Sequence, residues 1–257
     1  MMRNKTPIFT FFIFYILSYI ILLIFFIFYN FIFLPDVKIW NKKNPKISDL
    51  TRLKATNKNS DILRNKIIYQ WYPIGCIPDL CIKTVILSED ASFWIHSGID
   101  WFEVKESFLK NISEGKFLRG GSTITQQVAR NLYLEQEKTI NRKMKEWMIA
   151  WKLDKELRKR RILEIYLNIA EWGDNIIGIK AACDIYFHKL PSELELHEMI
   201  RLAAVLPNPI KMKPNEVDKA VLWRSNVILD RLLTYKYIQY EEYIKTKSIL
   251  ENISMAE

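Results

Sequence analysis

An uncharged apolar run near the N-terminus, residues 8–34, sets the first limit on the structure. It contains no Asp, Glu, Lys or Arg over 27 consecutive positions. A helix of about 20 apolar residues crosses the hydrocarbon core of a bilayer, so this run is long enough to do so with some tilt. It exceeds the apolar core of a secretory signal peptide, and no small-residue cleavage site is evident. We therefore predict an uncleaved transmembrane anchor at 8–34, preceded by a short N-terminal segment, 1–7.

The basic residues on either side of the anchor do not decide its orientation. Arg3 and Lys5 precede it, whereas four lysines, at positions 38, 42, 43 and 46, follow it. Counting of positive charges therefore slightly favours a cytoplasmic location for the segment after the anchor. That segment, residues 35–65, is polar, contains two prolines and is typical of a juxtamembrane linker.

The remaining residues, 66–257, are sufficient for one sizeable domain with a buried core. The chain has only seven glycines and nine prolines, and this part is rich in Leu, Ile, Lys and Glu, which predicts a mainly helical protein. The net charge of the chain, +9, suits an anionic membrane surface or a phosphorylated lipid substrate. No nucleic-acid-binding motif and no metal-site spacing of Cys and His is visible, and the sequence leaves a Cys76–Cys81 disulfide open.

Two acidic residues, Glu89 and Asp90, interrupt an apolar run in the sequence TVILSEDASFW. We predict a helix over about 85–95 that carries them, and a second helix over 101–113 with Asp100 as its N-cap. Taken alone, Glu89 is compatible with an ordinary solvent-exposed helix carboxylate. In a cleft it would instead be a candidate for proton transfer.

An amide-rich segment, GGSTITQQVARN (120–131), predicts a further helix that begins near Ser122 or Thr123, after two glycines. Apolar residues at helical spacing predict its buried stripe: Ile124, Val128 and Leu132. Polar residues occupy its other side: Thr123, Gln126, Gln127, Arg130 and Asn131. Amides on a helix more often face solvent, but the other surface helices of this chain use Lys and Glu. The amide-rich face is therefore suited to hydrogen bonding a polar, uncharged ligand such as a sugar.

Five ordered motifs resemble those of the peptidoglycan glycosyltransferases of family 51. They are ED-x-x-F-x-x-H-x-G-x-D (89–100), GGSTITQQ (120–127) with Asn131, R-K-x-x-E (142–146), RILEIYLN (161–168) with Gly173, and the residues Gly178, Ala181, Ala182, Tyr186 and Phe187. Any one of them would be a weak signal, but five in order over about 100 residues leave little room for chance. The residues of the last two motifs most resemble those of the monofunctional biosynthetic members. The remaining chain is too short for the transpeptidase domain of bifunctional members.

The resemblance implies a mainly α, lysozyme-like glycosyltransferase domain at 66–257 behind a single N-terminal transmembrane helix. It implies polymerisation of lipid II into glycan strands with release of undecaprenyl diphosphate, without transpeptidase activity. The domain is then expected on the outer face of the cytoplasmic membrane, with the N-terminus in the cytoplasm. Expected partners are lipid II, the lipid-linked growing glycan and membrane lipid, with other wall-synthesis proteins left open and no nucleic acid.

The resemblance also assigns roles to residues. Glu89 becomes the catalytic base, and Glu146 a second essential carboxylate that could hold cations, position a substrate or assist the leaving group. The basic residues expected at the pyrophosphate are Arg130, Lys138, Arg142 and Lys143. The other substrate-binding residues are Asp90, Ser122, Thr123, Gln126, Gln127 and Asn131, with Asp90 expected to act as a structural partner rather than a second base. The structural residues of the motifs are Phe93, His96, Gly98, Gly120 and Gly121.

Two positions depart from the family pattern. Arg130 stands where members usually have Lys, and Lys138 stands where they usually have Arg. The positive charge is kept at both positions. At 130 the planar guanidinium group of Arg, with several donors, replaces the compact ammonium group of Lys, and at 138 the ammonium group replaces the guanidinium group. The resemblance implies no required cofactor, and it leaves open a divalent cation, Mg²⁺ or Mn²⁺, that assists the pyrophosphate, although no ligand set is visible.

The apolar residues between the first two motifs have two interpretations. By default, Phe102, Phe108, Phe117 and Leu118 are core residues. The family suggests instead that this region dips into the membrane and guides the lipid tail.

Two other functions compete with polymerisation. A lysozyme-like lytic enzyme would share the logic of two carboxylates. The basic residues between 130 and 143 argue against it, because a neutral leaving sugar does not need them. An anchored scaffold without catalytic activity is the other alternative, and the presence of both Glu89 and Glu146 argues against it.

Overall fold

The computed structural model describes residues 6–54, 67–115, 120–135 and 139–255 of the chain, which divides into two compact units, Met1–Asp36 and Val37–Glu257. In the first unit, α1 (Thr6–Ile32) is one continuous helix. Its segment Phe11–Ile32 is long and apolar enough to cross a membrane. The predicted anchor, 8–34, coincides with this helix to within two residues at each end.

The second unit is built mainly from helices, as the composition predicts. Those that the structure describes are α2 (Ile47–Lys54), α3 (Asp79–Glu89), α4 (Trp101–Ser113), α5 (Ile124–Tyr133), α6 (Ile140–Glu156), α7 (Lys159–Ile169), α8 (Ile179–Phe187), α9 (Leu196–Val205), α10 (Lys219–Thr234) and α11 (Tyr240–Met255). Short 3₁₀ helices occupy Lys38–Asn41, Ile74–Cys76 and Pro191–Glu193.

The helix that carries Glu89 differs from its prediction. We predicted 85–95, whereas α3 begins at Asp79, directly after Pro78, and ends at Glu89. A proline is well tolerated at this end of a helix, where the first N–H groups have no partner within the helix. Asp90 leaves the helical conformation (φ −162°, ψ 73°) while its N–H still donates to the carbonyl of Ile86. Glu89 is therefore the last residue of a largely buried helix.

The predicted starts of α4 and α5 are confirmed by their caps. The Asp100 carboxylate accepts a hydrogen bond from the backbone N–H of Glu103 (3.0 Å). Thr123 and Gln126 form a capping box, in which the Thr123 hydroxyl accepts from the Gln126 N–H and the Gln126 side chain accepts from the Thr123 N–H, both at 3.1 Å. These bonds satisfy donors that the first turn of a helix otherwise leaves unpaired.

A three-stranded sheet in the order β1–β3–β2 lies against α8. Its strands are β1 (Ile68–Tyr69), β2 (Glu171–Gly173) and β3 (Ile176–Ile177), with β1 parallel and β2 antiparallel to β3. Asn168, from the fourth motif, accepts from the N–H of Tyr72 (2.6 Å) and donates to its carbonyl (2.9 Å). The fourth motif therefore fastens the segment after β1 to α7.

The core of the second unit is centred on α7 and α9. The side chains of Trp172, Tyr166 and Phe93 are among the largest that are fully buried. Helix α9 is buried along its length apart from His197, and it packs against α3, α10 and α11. Because α3 ends at Glu89, this packing fixes the position of that carboxylate. Cys81 and Cys183 are buried free thiols, and Cys76 is exposed and unpaired.

The first part of the predicted juxtamembrane linker packs on the helical unit. Val37, Trp40 and Leu50 are buried, and the Trp40 indole N–H donates to the hydroxyl of Tyr133 at the end of α5. Arg161, the first residue of the fourth motif, donates to the carbonyls of Trp40 (2.7 Å) and Lys43 (2.8 Å). The compact unit accordingly begins at Val37, and residues 55–65 of the predicted linker lie outside the described residues.

Replacing Arg161 with methionine is expected to loosen this segment. The change removes the bonds to Trp40 and Lys43, a third to the Asn44 side chain (2.8 Å), and the ion pair with Glu164 (2.6 Å). Each is a part-buried or charge-assisted bond, so we expect the free energy of unfolding to fall by roughly 1–3 kcal/mol. Thermal unfolding in detergent measures this loss, and trypsin cleavage after Lys42 and Lys43 is expected to accelerate.

The neighbouring exposed Arg160 provides the matched control for this change. Arg160→Met alters charge and length equally and is expected to leave both measurements unchanged. Equal cleavage rates in wild type and Arg161→Met would show that the bonds of Arg161 do not hold the segment.

Candidate active site

Glu89 and Gln127 meet where the end of α3 approaches the first turn of α5. The amide nitrogen of Gln127 donates a hydrogen bond of 2.8 Å to the Glu89 Oε2 atom. Both side chains are half-buried, so the carboxylate remains within reach of a ligand. Of the amide-rich face predicted for α5, Gln127 is thus the residue that the structure brings directly to Glu89.

Burial is the main influence on the ionisation of Glu89. It raises the pKa of this carboxyl group because a charged carboxylate is poorly solvated inside the protein. The hydrogen bond from Gln127 and the positive charges of Arg224 and Arg130 oppose this rise in pKa, and the negative charge of Asp90 adds to it. A carboxylate with a raised pKa is a stronger proton acceptor than an ordinary glutamate once it is ionised.

Asp90 links the first motif to the start of α5. Its carboxylate lies 2.9 and 3.0 Å from Nε2 of His96 and accepts from the backbone N–H of Ile124 at 2.9 Å. The side chain is buried, and both of its oxygens have protein partners. This arrangement agrees with the expectation that Asp90 is a structural partner of the site, while direct substrate binding by Asp90 stays a prediction.

The polar residues of α5 separate into two groups. Thr123 and Gln126 are buried in the capping box, and the Thr123 hydroxyl also donates to the carbonyl of Gly98 (2.6 Å). Gln127, Arg130 and Asn131 are half-buried and lie on one side of the helix, at spacings of three and four residues. Of the predicted ligand-binding face of α5, Gln127, Arg130 and Asn131 therefore remain accessible, whereas Thr123 and Gln126 stabilise the start of the helix.

Glu146 is fully buried between two cations of its own helix, α6. Its Oε2 atom accepts from Arg142 at 2.7 Å, and its Oε1 atom forms a short ion pair with the ammonium group of Lys143. Lys143 also donates to the Ser122 hydroxyl at 2.9 Å, just before α5. Of the three roles considered for Glu146, this geometry favours that of holding cations. Lys138, the fourth expected cation, lies outside the described residues.

Two glycines of the motifs are required by close packing. Gly98 has a φ of +82°, and a Cβ atom there would lie 2.7 Å from the carbonyl oxygen of Ala150 on α6. A Cβ atom on Gly121 would lie 2.9 Å from the carbonyl oxygen of Glu103 on α4. Gly120 has open space around the corresponding position. The loops on either side of α4 therefore need glycine to bring α4, α5 and α6 together.

The sequence interpretation missed two residues beside Glu89. The hydroxyl of Tyr166, from the fourth motif, is buried without a hydrogen-bond partner that meets normal geometry, and burial, with the nearby charge of Glu89, raises its pKa well above the usual value. Arg224, on α10, places its charge close enough to act on the pKa of Glu89. The fourth motif could have drawn attention to Tyr166, but no local pattern marks Arg224.

A dedicated metal site is not found in the described part of the chain, where no group of three or more His, Cys, Asp and Glu side chains is arranged to hold an ion. Gln127 bonds to Glu89, and two cations pair with Glu146. Arg142 and Lys143 share the single negative charge of Glu146, so these three side chains keep a net positive charge, which suits an anionic ligand.

Comparisons with known proteins identify relatives of this chain. The family model described as Transglycosylase matches residues 58–233. A biosynthetic peptidoglycan transglycosylase of Chromobacterium violaceum is 38% identical over 80% of this chain and 90% of its own length. One from Methylobacillus flagellatus is 34% identical over 82% of this chain and 92% of its own length. Penicillin-binding protein 1A of Aquifex aeolicus is 39% identical over 66% of this chain and 23% of its own length.

Proposed function

This chain belongs to the transglycosylase family, and from that premise we propose that Glu89 is the general base of its reaction. The protein is a glycosyltransferase of peptidoglycan synthesis, and it polymerises glycan strands. Its lysozyme-like, mainly helical domain follows an N-terminal helix that fits an inner-membrane anchor.

In the proposed reaction, the 4-hydroxyl of one lipid II molecule attacks the anomeric carbon of the lipid-linked growing strand. A glycosidic C–O bond forms as the bond to the undecaprenyl pyrophosphate breaks, with inversion at the anomeric carbon. The hydroxyl proton passes to Glu89, and the pyrophosphate leaves with the electron pair. A sugar hydroxyl is a weak nucleophile, so a positioned base is needed at the moment of attack.

The single observation that carries this proposal is the setting of Glu89. Its carboxylate is half-buried at the end of a largely buried helix, and one oxygen accepts a hydrogen bond from Gln127 (2.8 Å). Burial raises the pKa of the group, which makes it a better proton acceptor, while Arg224 and Arg130 limit the rise in pKa and favour the ionised form. An exposed helix carboxylate would have neither feature.

The leaving pyrophosphate is proposed to lie against Arg142, Lys143 and Arg130. Arg142 and Lys143 share one carboxylate, Glu146, so this group keeps a net positive charge. Cations held in advance stabilise the charge that develops on the pyrophosphate without further reorganisation. A divalent cation would then be bound mainly by the pyrophosphate oxygens, and Lys138 remains a proposed contributor.

The exposed apolar face of α4 is proposed to contact the membrane and the lipid tail of the substrate. Large apolar side chains on this helix are 49–70% exposed: Trp101, Phe102, Phe108, Leu109 and Ile112. A contiguous apolar surface of this kind is costly in water and typical of a membrane or lipid contact. It supports the membrane interpretation of Phe102 and Phe108 over the core interpretation, while Phe117 and Leu118 lie outside the described residues. We further propose that the N-terminus is cytoplasmic and the domain lies on the outer face.

Replacing both Phe102 and Phe108 with serine tests the proposed lipid contact. Phe102 is 70% exposed and Phe108 64% exposed, so the double change should not disturb the core. Loss of two partly inserted rings is expected to raise the KM for full-length lipid II about tenfold, with little change for an analogue carrying a short, water-soluble chain. Trp223→Ser, at a 67% exposed position on α10, is the matched control and should change neither KM. Equal effects on both substrates would exclude a role in binding the tail.

The proposed reaction is tested with detergent-solubilised protein and labelled lipid II. Production of labelled glycan strands, with release of undecaprenyl diphosphate, is the expected result. Release of muropeptides from finished peptidoglycan without strand synthesis would instead identify a lytic enzyme. No turnover of either substrate by folded protein would favour a scaffold role.

A further inference from the structure

Two arginines of α10 bind the C-terminal end of α3, directly before Glu89. Arg231 donates to the carbonyl of Leu87 at 2.8 Å. Arg224 donates through Nε to the carbonyl of Ala204 (2.9 Å) and through Nη2 to the Ser88 hydroxyl (3.4 Å). The ends of α3 and α9 are thereby tied to one helix that lies far away in the sequence.

Both arginines lie where they stabilise the C-terminal end of α3. The last four carbonyl groups of a helix lack partners within the helix, and that end carries a partial negative charge. Arg231 satisfies one of these carbonyls in α3, and the positive charge of both guanidinium groups suits this end. The Ser88 hydroxyl donates in turn to the carbonyl of Ala203 (3.1 Å), which adds a direct bond between α3 and α9.

Among the described residues, Arg224 provides one of the two positive charges that act on Glu89. The groups that influence this carboxylate are Gln127 and Arg130 from α5, Tyr166 from α7, Arg224 from α10, and Asp90 next to it in the chain. Of the two cations, Arg224 lowers the pKa of Glu89 more than Arg130 does. The influence is mutual, since the charge of Glu89 raises the pKa of Arg224 while burial lowers it.

We propose that Arg224 is a positioning residue of the reaction, which fixes the last turn of α3 through Ser88 and holds a permanent positive charge next to the Glu89 carboxylate. This inference rests on the proposed role of Glu89 as general base. Arg130 also acts on the Glu89 carboxylate and is a proposed pyrophosphate ligand, so its charge would be partly neutralised when substrate is bound. Arg224 is bonded to Ala204 and Ser88 and keeps its charge beside Glu89 throughout the cycle.

An arginine suits this position better than a lysine would. The planar guanidinium group reaches two acceptors, the Ala204 carbonyl and the Ser88 hydroxyl, through different nitrogens. A lysine would keep the positive charge but could not span both acceptors in the same geometry. The two functions of Arg224, charge and bridging, can therefore be separated by substitution.

The test is the pH dependence of kcat/KM for lipid II polymerisation by the full-length protein. The acidic limb of this profile reports the ionisation of the free enzyme's base. Arg224→Gln removes a positive charge that favours ionised Glu89, so the limb is expected to move up by about one pH unit. Activity is then lowest at acidic pH and recovers towards the wild-type value at pH above the limb. Arg224→Lys keeps the charge and is expected to leave the limb in place while lowering the thermal midpoint.

Lys219→Gln is the control, because it removes an exposed cation from the same helix. It should change neither the profile nor the thermal midpoint. If Arg224→Gln does not fold, Arg224→Met, an uncharged and unbranched side chain of similar length, is used in its place. An unshifted acidic limb in folded Arg224→Gln or Arg224→Met, or a uniform loss of their activity at all pH values, would overturn the inference. An active Glu89→Gln enzyme would instead refute the proposed function, so the two failures are distinguishable.

Discussion

Replacement of Glu89 with glutamine is expected to lower the rate of lipid II polymerisation by about 10²–10⁴-fold without unfolding the domain. Glutamine has nearly the same shape, but it cannot accept the proton of the attacking hydroxyl. Its oxygen can still accept the hydrogen bond that the Gln127 amide donates to Glu89 at 2.8 Å. The initial rate of glycan-strand formation from labelled lipid II measures the effect on chemistry.

The same substitution is expected to stabilise the protein at neutral pH. Burial raises the pKa of Glu89 in the folded state, so the unfolded chain releases this proton at a lower pH than the folded protein does. The free energy of unfolding is therefore reduced as the pH rises from the unfolded-state pKa to the folded-state pKa, and it stays reduced above that range. Glu89→Gln cannot ionise and avoids this loss. Its thermal midpoint should exceed that of the wild type at neutral pH and approach it under acidic conditions.

The control for both effects is Glu241→Gln, on the exposed face of α11. It should leave activity and stability unchanged. Retention of more than about one-tenth of wild-type activity in Glu89→Gln would argue against a general base at this position. A fall in stability would argue instead that the ionised carboxylate is favourable to the fold.

The sequence predicted the local parts of this site well. Asp100 and Thr123 cap their helices as expected, because a cap depends on side chains within three residues of one another. Gln127 and Arg130 were assigned to one face of a helix from spacing alone. The pairing of Arg142 and Lys143 with Glu146 follows equally from their separation by four and three residues on one helix.

The parts that depend on tertiary packing were not predictable in this way. The boundary of α3 was misplaced because Asp90 leaves the helix to bond His96 and Ile124, and the bond to Ile124 crosses 34 residues. Arg224 reaches Ser88 across 136 residues, and no periodicity in α10 distinguishes it from a surface arginine. The packing of Trp40 on Tyr133, which crosses 93 residues, likewise has no local signal in a polar segment with two prolines.

Replacement of Glu146 with glutamine is expected to have the second large effect. The change leaves Arg142 and Lys143, whose side chains are 18% and 34% exposed, without the carboxylate that holds them. Breaking a buried ion pair from one side costs about 3–5 kcal/mol, and the partial exposure of both cations reduces this to about 2 kcal/mol here. Because the cations would no longer be held in advance for the pyrophosphate, polymerisation is expected to fall by about 10²-fold or more.

A double-mutant cycle with Lys143→Met separates the possible roles of Glu146. If Glu146 acts by holding its two cations, Lys143→Met already removes part of its function, and Glu146→Gln with Lys143→Met should lose much less activity than the product of the two single losses. If Glu146 instead contacts the substrate or assists the leaving group directly, the losses should multiply. Lys145→Met, at an exposed position on the same helix, is the matched cation control and should show no coupling with Glu146→Gln. The ion pairs that Glu146 forms with Arg142 and Lys143 inside a fully buried environment favour the first result, since no oxygen of this carboxylate is left at the surface.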